Sequence, residues 1–146
     1  MLTDIIDAMQ TIHRAVTGVV TAPPLAEYPD SLEPMQCPFV MTWVGGGSWD
    51  EAAMGLHKDE TTFRVLVLIA PVALGIIGSL LSSSTQLLDA FRHLYLDYEN
   101  IQTLGGTVEQ CGTITHEGLQ IITYAGVEWR GFMLTIPTIL KEIKTP

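Results

Sequence analysis

The sequence predicts an α+β domain in which two helices pack on a largely antiparallel sheet. Three observations carry this expectation. Apolar residues recur at spacings of three and four in two separate stretches, 5–16 and 87–98. Residues 61–69 are apolar and rich in β-branched side chains, as a buried strand requires. Residues 108–139 read as short strands separated by two turn signals, His116-Glu117-Gly118 and Ala125-Gly126. The 146 residues fit one domain, 1–146, long enough to bury a single core.

The elements follow in order. Ile5, Ile6, Met9, Ile12 and Val16 form one apolar stripe of a first helix. Thr3 is its expected N-cap, Asp4 and Asp7 suit its positive end, and Gly18 is placed to stop it. A connector at about 21–38 then holds five of the eight prolines, so it is neither helix nor central strand. Leu25, Tyr28, Leu32 and Met35 make it too apolar for a free linker. It is expected to lie extended along a surface, its own or a neighbour's.

Residues 39–44 read as a strand broken by Gly45-Gly46-Gly47. The strand at 61–69 is apolar on both faces except at Arg64 and the threonines, which places it mid-sheet under helices or a partner. Pro71 ends it. Ser82-Ser83-Ser84-Thr85 offers N-caps to a second helix. Leu87, Leu88, Phe91, Leu94, Tyr95 and Tyr98 share one face of that helix, with Asp89, Arg92, His93 and Asp97 elsewhere. Leu104-Gly105-Gly106 turns the chain into the last region, expected as a three-stranded meander.

Composition bounds the function. Apolar residues make up 47% and charged residues 16%, against roughly 25% charged in an average soluble domain. Such a chain either enters a membrane or hides surface against other chains. The uncharged run 65–81 is shorter than the ~20 residues a spanning helix needs, and Pro71, Gly75 and Gly78 interrupt it. Self-association is therefore expected, with no membrane. Asp4 and Asp7 stand where a secretory signal would be basic, so synthesis in the cytoplasm is expected. Cys37 and Cys111 make no disulfide framework and are expected as free thiols. A net charge of -9 with scattered cations argues against binding a phosphate backbone.

No constellation promises catalysis, and the protein is not expected to be an enzyme. His13, His57, His93 and His116 share no metal-ligand spacing with each other or with the cysteines, so no metal and no cofactor is expected. The triple glycine is followed by Ser48, Trp49, Asp50 and Glu51, and two carboxylates would repel a phosphate; a loop or hairpin excursion fits better. His116-Glu117 reads as a solvated hairpin tip, Ser82–Ser84 as a cap, and Cys111 as a small buried residue. Glu109 and Glu128 could face each other across strands, but acid-base work also needs a cleft. The aromatics say more. Trp43, Trp49, Trp129 and Arg130 are candidate interface residues, since Trp and Arg are enriched at hot spots. Trp129 taken alone reads rather as an ordinary core tryptophan.

The chain resembles the tail terminator and tail-completion proteins of long-tailed bacteriophages. The likeness lies in its size, its order of elements and its ending, Ile121-Ile122-Thr123-Tyr124-Ala125-Gly126-Val127-Glu128-Trp129-Arg130-Gly131. It implies a homohexameric ring in the virion neck that caps the tail tube and joins it to the head. The implied partners are further copies of the chain, the tail tube protein and a head-completion or connector protein. DNA would pass through the lumen without specific binding. The connector is longer and richer in proline than the family pattern, which leaves other neck and tail components open. Asp50, Glu51, Asp59 and Glu60 are the candidate lumen-facing acidic loop, the other reading being a solvated loop facing outward. Two further classes compete: a soluble ligand- or peptide-binding domain using the 43–49 region, and a membrane-associated protein using 65–81.

Overall fold

The computed structural model describes residues 2–53, 56–72, 77–97 and 108–140. The fold is α+β. Helix α1 is Leu2–Arg14, followed by single 3-10 turns at Leu25–Glu27 and Pro34–Gln36. Strands β1 (Phe39–Ala53) and β2 (Leu56–Pro71) precede helix α2 (Ile77–Asp97). Strands β3 (Val108–Cys111), β4 (Thr115–His116), β5 (Gln120–Tyr124) and β6 (Val127–Leu140) complete the chain. Among the described residues they form one antiparallel six-stranded sheet ordered β1-β2-β6, with β3, β4 and β5 all on the outer side of β6.

That last arrangement corrects the expected meander. Val108 pairs with Leu140, Thr115 with Thr135, Gln120 with Gly131 and Tyr124 with Val127. Residues 108–124 are thus one interrupted arm of a single hairpin whose return arm is β6. The reversal occurs only at Ala125-Gly126, where both residues of the two-residue loop have positive φ, 52° and 78°, as a type I′ turn demands. His116-Glu117-Gly118 interrupts the edge strand without reversing it.

Three boundaries also differ from expectation. The glycine triplet lies inside β1, which runs on to Ala53 with a register shift between Val44 and Gly46. A Cβ on Gly47 would sit 2.3 Å from the Glu60 carbonyl oxygen. Glycine here permits close pairing of a bulged strand and does not end it. Ser82–Thr85 lie within α2, where the Ser84 and Thr85 hydroxyls bond back to the Leu81 carbonyl at 3.0 and 2.8 Å. Hydroxyls satisfied inside a helix look like caps in sequence. Thr3 is likewise within α1, not before it. Tyr98 and Leu104-Gly105-Gly106 lie outside the described residues.

The middle of the sheet is buried on both faces. Strand β2 alternates: Phe63, Val65, Val67 and Ile69 point to one core, Leu66 and Leu68 to the other. The first core packs under α1 and α2 through Ile5, Met9, Leu87, Phe91 and Tyr95, with Phe91 edge-on to Phe132 at 6.0 Å between ring centroids. The second core, built on Phe39, Met41 and Trp129, is covered by Leu32, Tyr28 and Cys37 of the proline-rich connector. The connector therefore lies on its own domain.

Polar groups fix that path. On α1, Asp7 accepts from Leu25 N at 2.9 Å, Gln10 donates to Pro23 O at 2.8 Å, and Arg14 donates to Ala22 O at 3.0 Å. The spacing 7, 10, 14 is one helical stripe, and the connector runs antiparallel along it. The same device closes the free edge of β1. Val40 N donates to Thr21 O at 2.9 Å, and Val40 O accepts from Gln10 at 2.8 Å. The Tyr28 hydroxyl accepts from Thr42 N and donates to Thr42 O, both at 2.8 Å. Burial pushes the Tyr28 pKa up to about 12, so the hydroxyl keeps its proton.

Gln10 also sets the state of His13. Both Gln10 amide hydrogens are committed to carbonyls, so Oε1 must accept. It takes the Thr42 hydroxyl at 2.8 Å and His13 Nδ1–H at 3.0 Å. Nε2 of the neutral ring then accepts from the Tyr95 hydroxyl of α2. Both Gln10 and His13 are fully buried, and burial pushes the His13 pKa down to about 3.

Two outcomes follow. Replacing Gln10 by Leu leaves buried carbonyls at Pro23 and Val40 and the Thr42 and His13 donors without their partner. At about 1–3 kcal/mol per orphaned group, before relaxation, a loss of about 3 kcal/mol or more is expected in urea unfolding. For His13, the unfolded chain takes a proton below about 6.5, whereas the folded chain takes one only near pH 3. Its contribution is complete above pH 6.5 and is lost as pH falls toward 3, on the order of 1 kcal/mol per pH unit. Stability measured from pH 7 to pH 4 should fall more steeply in wild type than in His13→Asn.

Candidate functional site

Beyond Thr42, no described element pairs with the outer side of β1. Strand β6 accompanies β2 only from the Glu60–Ile139 pair onward. Among the described residues, the hairpin past Ser48 and Glu60 is therefore a two-stranded ribbon, five residues of β1 reaching about 15 Å at ~3.3 Å per residue. Its distal register sets Trp49 opposite Asp59, Asp50 opposite Lys58 and Glu51 opposite His57.

The acidic residues thus stand in paired strands and not on the expected loop. Asp50 and Glu51 are placed here by backbone register. Asp59 is half-buried and its carboxylate accepts from the Thr61 hydroxyl at 2.9 Å. Glu60 is exposed and accepts from Ser48 Oγ at 3.5 Å.

The four candidate interface residues separate. Trp49 is 84% exposed, and Val44 is also exposed nearby. Trp43 is half-buried against the second core, so the two tryptophans do not form one platform around the glycines. Trp129 is 1% exposed. It is a core residue, out of a partner's reach, and its indole N–H has no partner among the described residues. Arg130, half-buried, has an Nε in the same condition.

Two concavities adjoin this hairpin and the helical face. A recess of about 370 Å³ at the base of the ribbon is bounded by Gly47, Glu60, Thr62, Gly112 and Pro137. It offers one carboxylate and no cation. A groove of about 350 Å³ lies between α2 and β4. Its floor is apolar, from Leu88, Phe91, Ile114 and Leu134, and Asp89, Arg92 and His116 stand at its rim. His116 is exposed there on β4, not at a hairpin tip. Asp89 holds Arg92 at 3.7 Å and His93 at 3.4 Å, exposed pairs worth a few tenths of a kcal/mol.

The other sequence candidates do not converge. Strand β3, with Glu109, pairs at the far end of β6 from Glu128, which sits opposite Thr123. The Cys37 thiol is half-buried, and burial pushes its pKa up to about 11, which keeps it protonated and weakly nucleophilic. No three His, Cys, Asp or Glu side chains gather as metal ligands among the described residues, and no helix among them is long and apolar enough to cross a membrane.

Gln10, His13, Thr42 and Tyr95 were not singled out as a buried group by the sequence. Gln10 and His13 are three apart and lie beside the apolar stripe of α1, which is the only local trace of their burial. The chain matches no protein-family model and no curated protein, so the geometry of the ribbon and the groove stands as the basis for a functional reading.

Proposed function

We propose that this chain is a structural subunit of the bacteriophage virion that forms a ring at the head-proximal end of the tail tube. It stops tube growth there and joins tail to head. The observation that carries the reading is the ribbon of β1 and β2, which leaves the sheet with an exposed tryptophan and an acidic strand pair. Isolated two-stranded ribbons are marginal in water, so a ribbon of this kind is a natural element to be completed by neighbours. The resemblance to tail terminator proteins supplies the assembly; the partners are other copies, the tube protein and a head-completion or connector protein.

In this reading Asp50, Glu51, Asp59 and Glu60 line the opening. Each lysine or arginine on such a wall would add salt-dependent affinity for phosphates and slow sliding DNA. Carboxylates repel the backbone instead, over about 8 Å at physiological salt. Negative-stain images of purified protein and of assembled particles should show rings, at the neck in the latter. Absence from both overturns the reading. Reversal of Asp50 and Glu60 to lysine, with Asp59 left in place, should leave rings intact and slow DNA ejection, most at low salt. Unchanged ejection, or a ribbon on the outer rim of the ring, overturns the assignment of the lumen.

A further inference from the structure

We infer that Trp49 is a knob that docks into the groove between α2 and β4 of a second copy of this chain, making a head-to-tail contact. This deepens the ring reading and rests on it for closure. Trp49 lies on the ribbon, 84% exposed, without cover from the described residues. Tryptophan is the side chain most often found as an interface anchor, and burying an aromatic removes about 150–250 Å² from water.

The groove suits that occupant in size and lining. Its volume of about 350 Å³ lies at the lower end of the 300–1,000 Å³ range of binding clefts. That is room for one bicyclic ring with adjoining backbone, not for an extended cofactor. Leu88, Phe91, Ile114 and Leu134 give an apolar floor.

Charge places the same pair together. Trp49 stands opposite Asp59 and next to Asp50 in a chain with sixteen acidic and seven basic residues. The groove rim carries Asp89, Arg92 and His116; the Arg92 side chain is 64% exposed, and among the described residues its ion pair is the 3.7 Å contact to Asp89. An approaching Asp59 can pair with Arg92.

Knob and hole also occupy different parts of one surface. The groove lies beside Leu134, opposite Val65, whereas Trp49 is opposite Asp59, six residues further along β2 and about 20 Å away by strand rise. A contact between unlike patches is heterologous, so it propagates from copy to copy and closes as a ring when the rotation permits.

The test is sedimentation velocity from micromolar to millimolar protein, read together with tryptophan emission. Wild type should associate, with a blue shift that Trp49→Phe removes while Trp43 and Trp129 remain. Trp49→Ala and Arg92→Glu, both at exposed positions, should each weaken association at least ~10-fold. Their equimolar mixture retains one intact knob and one intact groove. It should form dimers and nothing larger. Full association by Trp49→Ala overturns the contact and leaves the ring reading standing. Wild type that stays monomeric throughout also overturns the contact, whereas the ring reading falls only if assembled tails lack rings too. Rescue of both variants to full-sized assemblies in the mixture overturns the head-to-tail geometry.

Discussion

The structure depends on one carboxamide. Gln10 donates to a carbonyl of the connector and to a carbonyl on the outer edge of β1, and accepts from Thr42 and His13. His13 carries the link to Tyr95 on α2. One side chain thus joins both helices, the connector and the first strand. Its site is fully buried, where an unmatched polar group is costly and a matched network admits few alternatives. The neutral tautomer of His13 is fixed by this network and not by any nearby charge.

The edge of β1 follows from the same constraint. Up to Thr42 its outward backbone groups are taken by Thr21, Gln10 and Tyr28. Past Thr42 no described element takes them, and the strand goes on through the glycines into the ribbon. Two halves of one strand therefore have opposite roles: the first is sealed into the domain, the second is presented to solvent. Edge strands left long and open favour pairing with other chains. The bulge between Val44 and Gly46 marks the change from one half to the other.

Much of this order was legible. The core-facing parts of the helical stripes (Ile5, Ile6 and Met9 on α1; Leu87, Phe91 and Tyr95 on α2), the two-faced strand at Thr61–Ile69 and the Ala125-Gly126 reversal rest on local periodicity and turn chemistry, and the structure keeps them. What failed were helix starts, where hydroxyls satisfied inside α2 look like caps, and strand boundaries decided by partners distant in sequence. Gly47 reads as a breaker until Glu60 is beside it, and the break at His116-Glu117-Gly118 reads as a turn until β6 is seen running past it. The stripe Asp7, Gln10, Arg14 holds the connector, yet in sequence it is an ordinary polar face. Prolines remove donors in the connector, so its remaining carbonyls need foreign partners. That need was a readable hint. The acidic ribbon and the exposed Trp49 were found as residues, but not as neighbours in paired strands.

The low charge content also changes meaning once the fold is known. It pointed to apolar surface in excess of what one domain hides. A sheet covered on both faces consumes that excess internally: Leu66, Leu68, Trp129, Met41 and Phe39 fill a second core that a one-sided sheet would not have. The connector supplies the cover, so the prolines that looked like a spacer are part of the domain's interior wall. Among the described residues, the large apolar side chains left outside are Trp49 and Val44 on the arm, Ile121 and Val127 on the opposite hairpin, Met35 on the connector with Val20 just before it, and Leu2 and Leu81 on the helices. The position of these residues, more than the composition, therefore decides where this chain can meet a partner. Trp49 is the one among them that the fold carries away from its own core on a two-stranded ribbon, with Asp59 opposite and Asp50 next to it.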